Sequence, residues 1–86
     1  MLERINERVD VITVFRLDDG QTRPYRLRWR GRSYTLTQLG YHHTLREGRT
    51  LIHIFAVSTE TLSFKLRFNT DSLQWLLEEV YSESGV

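Results

Sequence analysis

The sequence predicts an all-β domain, an antiparallel meander of about six strands forming a small barrel-like or strongly twisted sheet. Two observations predict it. Apolar residues recur with a period of two, as where Tyr25, Leu27 and Trp29 alternate with Arg26, Arg28 and Arg30. Turn-forming residues separate such runs, and three successive hairpins can be registered so that apolar meets apolar and polar meets polar.

Arg8 to Leu17 reads as the first strand, ended by Asp18-Asp19-Gly20, with the residues before Arg8 loose. Pro24 opens the next strand, a place where proline is tolerated. In the first hairpin Gly31 and Arg32 form a two-residue turn with glycine first, the type II′ preference. That turn sets Trp29 against Tyr34, Leu27 against Leu36 and Tyr25 against Gln38. On the other face Arg30 meets Ser33, Arg28 meets Thr35 and Arg26 meets Thr37. The connection from His42 to Arg49, containing Glu47-Gly48, reads as a mobile loop.

The second hairpin joins Leu51–Val57 to Leu62–Phe68 through Ser58-Thr59-Glu60-Thr61. Its register sets Val57 against Leu62, Phe55 against Phe64, His53 against Leu66 and Leu51 against Phe68. The third element has two readings. Leu73, Leu76, Leu77, Val80 and Tyr81 fit a helical stripe over residues 71–82. As a strand after Asn69-Thr70-Asp71-Ser72, the same segment sets Leu73, Trp75 and Leu77 against Phe68, Leu66 and Phe64. The strand is favoured because it continues the inner face and gives Trp75 an inward place. Trp29, Tyr34, Phe55, Phe64, Leu66, Phe68 and Trp75 are then expected to share one interior.

Eighty-six residues make one domain spanning 1–86, and 40% hydrophobic composition suits a globular core. The absence of cysteine removes disulfides and thiolate metal sites. No apolar run is long enough for a spanning helix, and Met1 to Asp10 lacks a signal-peptide core, so no membrane partner and a cytoplasmic location are expected. His42, His43 and His53 lack metal-ligand spacing, and neighbours on a strand point apart, so no metal and no cofactor are expected. His53 falls on the inner face. No P-loop, no nucleophile elbow and no separated acid–base pair appears, which argues against an enzyme.

Charge is segregated along a chain whose net charge is only +1. Residues 21–53 hold seven arginines against Glu47 as the one acid, while residues 69–86 hold Asp71, Glu78, Glu79 and Glu83 and no base. Arg26, Arg28 and Arg30 project from one strand at about 7 Å intervals, close to the phosphate spacing of an extended nucleic-acid strand. Arg32 sits at the turn and Tyr41 offers a stacking ring. The expected function is a non-catalytic binding module that engages nucleic acid, DNA in particular, through this face. The rival reading is a protein-interaction or homodimerising module. Ile52 and Ile54 face outward with Lys65 and Arg67 and would form its interface. Pairing of the arginines with Glu78 and Glu79 is a further possibility that the charge pattern allows.

The segment Pro24–Tyr34 with its WRGRSY core, followed by Phe55-Ala56-Val57 and Trp75-Leu76-Leu77, resembles a family of short, uncharacterised bacterial β domains. These carry a P-x-x-x-x-W-R-G-R-x-Y segment and an F-x-V strand. More distantly, the chain is similar to the small domain found beside Y-family polymerase-like proteins of error-prone repair. The resemblance covers about half the chain and omits the His42–Arg49 connection and the acidic end. It implies a β-rich fold and DNA-associated work, and it transfers no catalytic residue.

Overall fold

The computed structural model describes residues 1–18 and 20–82. Asp19 of the first expected turn and Glu83 of the acidic end lie outside the described residues. Seven strands are present: β1 (Leu2–Phe15), β2 (Thr22–Trp29), β3 (Arg32–Thr35), β4 (Gln38–Glu47), β5 (Thr50–Ser58), β6 (Leu62–Asn69) and β7 (Gln74–Ser82). They form one antiparallel sheet in the order β3-β2-β1-β7-β6-β5-β4, twisted but not closed into a barrel.

The all-β expectation holds, with one strand more than the six expected. The additional strand is β4, in the segment read as a mobile loop. Gly48 and Arg49 alone form its turn into β5, with Gly48 at φ 61°. β4 is an edge strand exposed at most positions, so burial imposes no apolar alternation on it. The first residues are likewise not loose, since Leu2 to Val9 pair with β7. A bulge at Asn6, whose φ is 53°, breaks the period there, and asparagine tolerates that left-handed conformation.

The last element is a strand, and the helical alternative is set aside. Trp75 and Leu77 face the same side as Phe68 and Leu66, and an extra residue at Glu78 then brings Val80 opposite Phe64. That bulge gives the inward residues the spacing 75, 77, 80, which mimics part of a helical stripe. All three hairpins differ from the expected register by one step on each strand. Leu27 faces Tyr34, Phe55 faces Leu66 and Phe68 faces Trp75. Such a shift by itself preserves the faces. The seven residues expected to share the interior do so with other partners, whereas Leu73, expected opposite Phe68, falls in the exposed turn and the Glu78 bulge brings Val80 inward.

The turns explain the shift. Arg30 and Gly31, at φ 51° and 77°, are the central residues of the first turn, the double positive-φ pattern that matches strand twist. In the β5–β6 turn the Thr59 hydroxyl accepts N–H bonds from Thr61 and Leu62 at 3.3 and 3.1 Å. In the β6–β7 turn the Asn69 side chain accepts from Asp71 and Ser72, and Leu73 is left 70% exposed at φ 59°.

Between β3 and β4 the chain passes from one edge of the sheet to the other in two residues. The Leu36 N–H donates to Tyr25 O and the Thr37 N–H to Ser58 O, both at 2.8 Å. The sheet therefore curls, and its concave side holds Leu27, Leu36, Phe55, Val57, Phe64, Leu66, Leu77 and Val80. Trp29, Tyr34 and Trp75 pack against this cluster, and Phe68 joins it through Trp75, ring centroids 4.7 Å apart.

The convex side corrects one expectation. Ile52 and Ile54 point outward, yet they are only 0% and 2% exposed within the single chain. Leu45 and Asn69 flank Ile52, while His43 and Arg67 flank Ile54. Arg67 bridges to Glu47 on β4 and to Glu78 on β7, so its guanidinium and stem roof the β5 isoleucines. The apolar stripe that motivated an interface at these two residues is not at the surface.

Candidate binding surfaces: an arginine wing and an aromatic cleft

β2 and β3 form a wing beside the C-terminal half of β1. Leu27 on the concave side fixes Arg26 and Arg28 on the convex side, both exposed. Across the strand pairs lie Thr35 and Ser33 on β3, and Ile12 and Asp10 on β1. The expected hydroxyl neighbours are thus present, one step along from their expected partners, and Asp10 is an addition.

The other expected residues separate from these two. Arg30 leaves the strand for the turn, and its guanidinium binds both oxygens of Glu7, Nε–Oε1 3.2 Å and Nη2–Oε2 2.7 Å. It also lies 4.7 Å from the Trp29 ring centroid, while the Trp29 indole N–H donates to the same carboxylate at 2.9 Å. The Arg30 and Trp29 hydrogen bonds hold the Glu7 carboxyl below its usual value, and Glu7 in turn raises Arg30. Arg32 stands opposite Trp29 and so belongs to that ring's side of the wing. Tyr41 lies on β4, at the other end of the strand order, stacked with His43 at 5.3 Å. Tyr25 supplies the wing's aromatic ring instead. A bulge between its neighbours Pro24 and Arg26 leaves Tyr25 unpaired with β1 and 45% exposed, and the Arg26 guanidinium lies 6.0 Å from its centroid.

None of the described carboxylates pairs with Arg26 or Arg28. Glu78 is occupied elsewhere, 3.7 Å from Lys65 and 3.8 Å from Arg67. The acidic strand therefore neutralises the convex face of β6, not the wing.

A second feature opens at one end of the concave side. A cleft of about 730 Å³ has His42, His53, Phe55, Phe68 and Trp75 on one wall and Thr13 with Gly20–Thr22 on the other. The register brings the rings together, since His42 faces Phe55 and His53 faces Phe68. The His42 and Phe55 rings stack at 4.2 Å with 7° between their planes, and Trp75 lies 5.6 Å from Phe55. His42 Nε2 and His53 Nδ1 are 2.8 Å apart and share a hydrogen. Burial, then the nearby His53 and His43, lower the His42 pKa. His53 was expected on the inner face, but His42 was assigned to a loop, and the cleft followed only once β4 was a strand. Among the described residues no group of three or more His, Cys, Asp or Glu is placed to hold a metal ion. Nor, among the described residues, is any helix long and apolar enough to cross a membrane.

Comparison with protein-family models, with curated proteins and with solved structures finds no match to this chain.

Proposed function

We propose that the protein is a non-catalytic, cytoplasmic binding module that holds nucleic acid, DNA in the first instance, on the convex face of its wing. Arg26 and Arg28 contact successive phosphates and Tyr25 gives a base a stacking surface. The observation that carries the reading is the pair Arg26 and Arg28, with which none of the described carboxylates forms an ion pair: Asp10 stands across from Arg28 without bridging to it, and Glu78 is taken by Lys65 and Arg67. Two like charges about 7 Å apart on one exposed face repel each other, and an anion of matching spacing relieves that repulsion. The resemblance of the WRGRSY hairpin to repair-associated domains points to DNA. Arg30 orders the turn through Glu7, and Arg32, opposite Trp29, lies on the other side of the wing from this face.

Fluorescence polarisation against labelled single- and double-stranded DNA and RNA at several salt concentrations tests this. Two phosphate contacts give a log–log salt slope of about −1.4 to −1.8, and Arg28→Ala flattens it by roughly 0.7–0.9. Unfolding midpoints stay unchanged in Arg28→Ala, because the side chain is exposed. A slope near zero, or equal affinity in the variant, rejects the reading.

One observation favours a second reading, a protein-interaction or homodimerising module. Ile12, Phe15 and Leu17, at the β1–β2 end of the wing, are 56%, 60% and 91% exposed. A concentration-dependent mass in sedimentation that Phe15→Ser abolishes, without oligonucleotide binding, selects it.

A further inference from the structure

We propose that the aromatic cleft is a binding site for an uncharged planar heteroaromatic ring carrying a hydrogen-bond donor and acceptor on one edge, the chemistry of a nucleobase. The site shares no residue with Arg26, Arg28 or Tyr25 and does not depend on the wing.

Four features of the cleft select this class. Its wall is built of nearly parallel rings, His42 stacked on Phe55 with 7° between their planes and lying 18° from His53, so that a further planar ring can continue the stack. Stacking of a base on an aromatic side chain contributes roughly 1–3 kcal/mol without regard to base identity. The volume of about 730 Å³ falls in the range of small-ligand pockets and exceeds a single ring, leaving room for a sugar. No Asp, Glu, Lys or Arg is among the described residues that line it, so none of those residues compensates a charged ligand.

The histidine pair supplies the fourth feature, recognition of an edge. When both imidazoles are neutral they carry two N–H groups between them, and one of these is consumed between His42 Nε2 and His53 Nδ1. Exactly one remains for the two outer nitrogens, His42 Nδ1 and His53 Nε2. Whichever way the shared hydrogen sits, one outer nitrogen donates and the other accepts. Among the described residues no hydrogen bond reaches either outer nitrogen, and His42 is exposed on its strand while His53 is half-buried. Exchange of the tautomer swaps the two roles and lets the pair meet either polarity of a donor–acceptor edge. Thr13, Thr22 and Gln21 face this wall with further hydrogen-bonding groups.

The test is a ¹H–¹⁵N chemical-shift titration of the full chain, with chelator present, using adenosine, cytidine, cyclohexanol and a five-nucleotide DNA. Saturable shifts with a nucleoside are expected at Gly20, Thr22, His42, His53 and the Trp75 indole, and none with cyclohexanol. His53→Phe keeps the ring but removes the outer donor or acceptor, and it should weaken nucleoside binding roughly tenfold. His42→Phe, on the exposed edge strand, gives the same reading if His53→Phe does not fold. The source of the ring follows from Arg28→Ala. Undiminished nucleoside affinity with no cleft shifts from the oligonucleotide assigns a free small molecule, whereas cleft shifts from the oligonucleotide assign a base of a strand. The proposal is overturned by an absence of saturable nucleoside shifts up to about 10 mM, by equal binding of cyclohexanol, or by shifts confined to the wing. Failure at the cleft leaves the salt-slope result on the wing untouched, so the two readings stand or fall separately.

Discussion

Arg67 on β6 and Glu47 on β4 form an ion pair across the strand that separates them, passing over Ile52 of β5. An isoleucine on a convex sheet face is thereby 0% exposed without a second layer. The stem of Arg67, more than its charge, does the covering, since exposed ion pairs contribute little by themselves. Arg67→Ala is expected to lower stability by about 1–2 kcal/mol and to raise apparent mass with concentration as Ile52 and Ile54 surface. Arg67→Met, which keeps the stem, should lose less and remain at the mass of the parent. Urea unfolding and light scattering on the two variants measure this, and equal behaviour of both variants contradicts the roofing argument.

Phe64 is 2% exposed and meets the Tyr34 ring at 5.3 Å, tying β6 to β3 across the concave side. Phe64→Ala should cost about 3–5 kcal/mol, the usual loss for a buried phenylalanine whose site cannot collapse. Chemical denaturation gives the value, and a loss under about 1 kcal/mol removes Phe64 from the centre of the core.

These residues show what the sequence reveals of this fold and what it does not. Faces are legible because burial enforces a period of two, so Leu27, Phe55, Phe64, Leu66 and Leu77 were placed inward from pattern alone. Register is not, because a one-step shift on both strands preserves the pattern, and the choice falls to turn chemistry at Arg30-Gly31, Thr59 and Asn69. Bulges at Asn6, Tyr25, Gly40 and Glu78 each reset the period locally. The Tyr25 bulge exposed a ring expected on the apolar face of its strand and made it part of the wing. Edge strands leave the weakest trace, which is why β4 read as a loop and His42 was separated from His53. The arginine ladder was half legible: Arg26 and Arg28 share a face, while Arg30 depends on Glu7, 23 positions away in sequence.

Glu7 offers a pH test of that link. Its carboxyl is held below the usual value by Arg30 first and by Trp29 second. A depressed folded-state pKa contributes stability that is complete above the unfolded value of 4.5 and is lost as pH falls through the folded value. The native protein should therefore lose stability more steeply below about pH 4.5 than Glu7→Gln does. The Trp29 emission should shift in the variant, because the indole N–H loses its charged acceptor. Identical acid limbs for the two proteins contradict the pairing.

His42 works on a different window with the same sign. Burial first, then His53 and His43, lower its folded pKa from 6.5. The unfolded chain accordingly takes up a proton before the folded chain does. Stability is full above about pH 6.5 and declines as pH falls towards the folded value of His42. The groups facing this ring from the neighbouring elements offer no counter-charge: His53 and Phe55 lie on β5, and Thr13, Gln21 and Thr22 stand across the cleft. His42→Phe should remove this part of the decline while leaving the Glu7 limb in place, which urea midpoints across both windows can resolve. Protonation also changes the cleft itself. A singly protonated pair holds three N–H groups, one between the rings and one on each outer nitrogen, so the outer acceptor is gone. A ring that needs both a donor and an acceptor then loses one hydrogen bond, and nucleoside binding at the cleft should weaken below the His42 pKa. Binding to the wing should not follow that titration, since neither histidine of the pair belongs to it. Parallel titrations of a nucleoside and an oligonucleotide from about pH 8 to 5 separate the two. Equal pH dependence for both ligands contradicts the independence of cleft and wing.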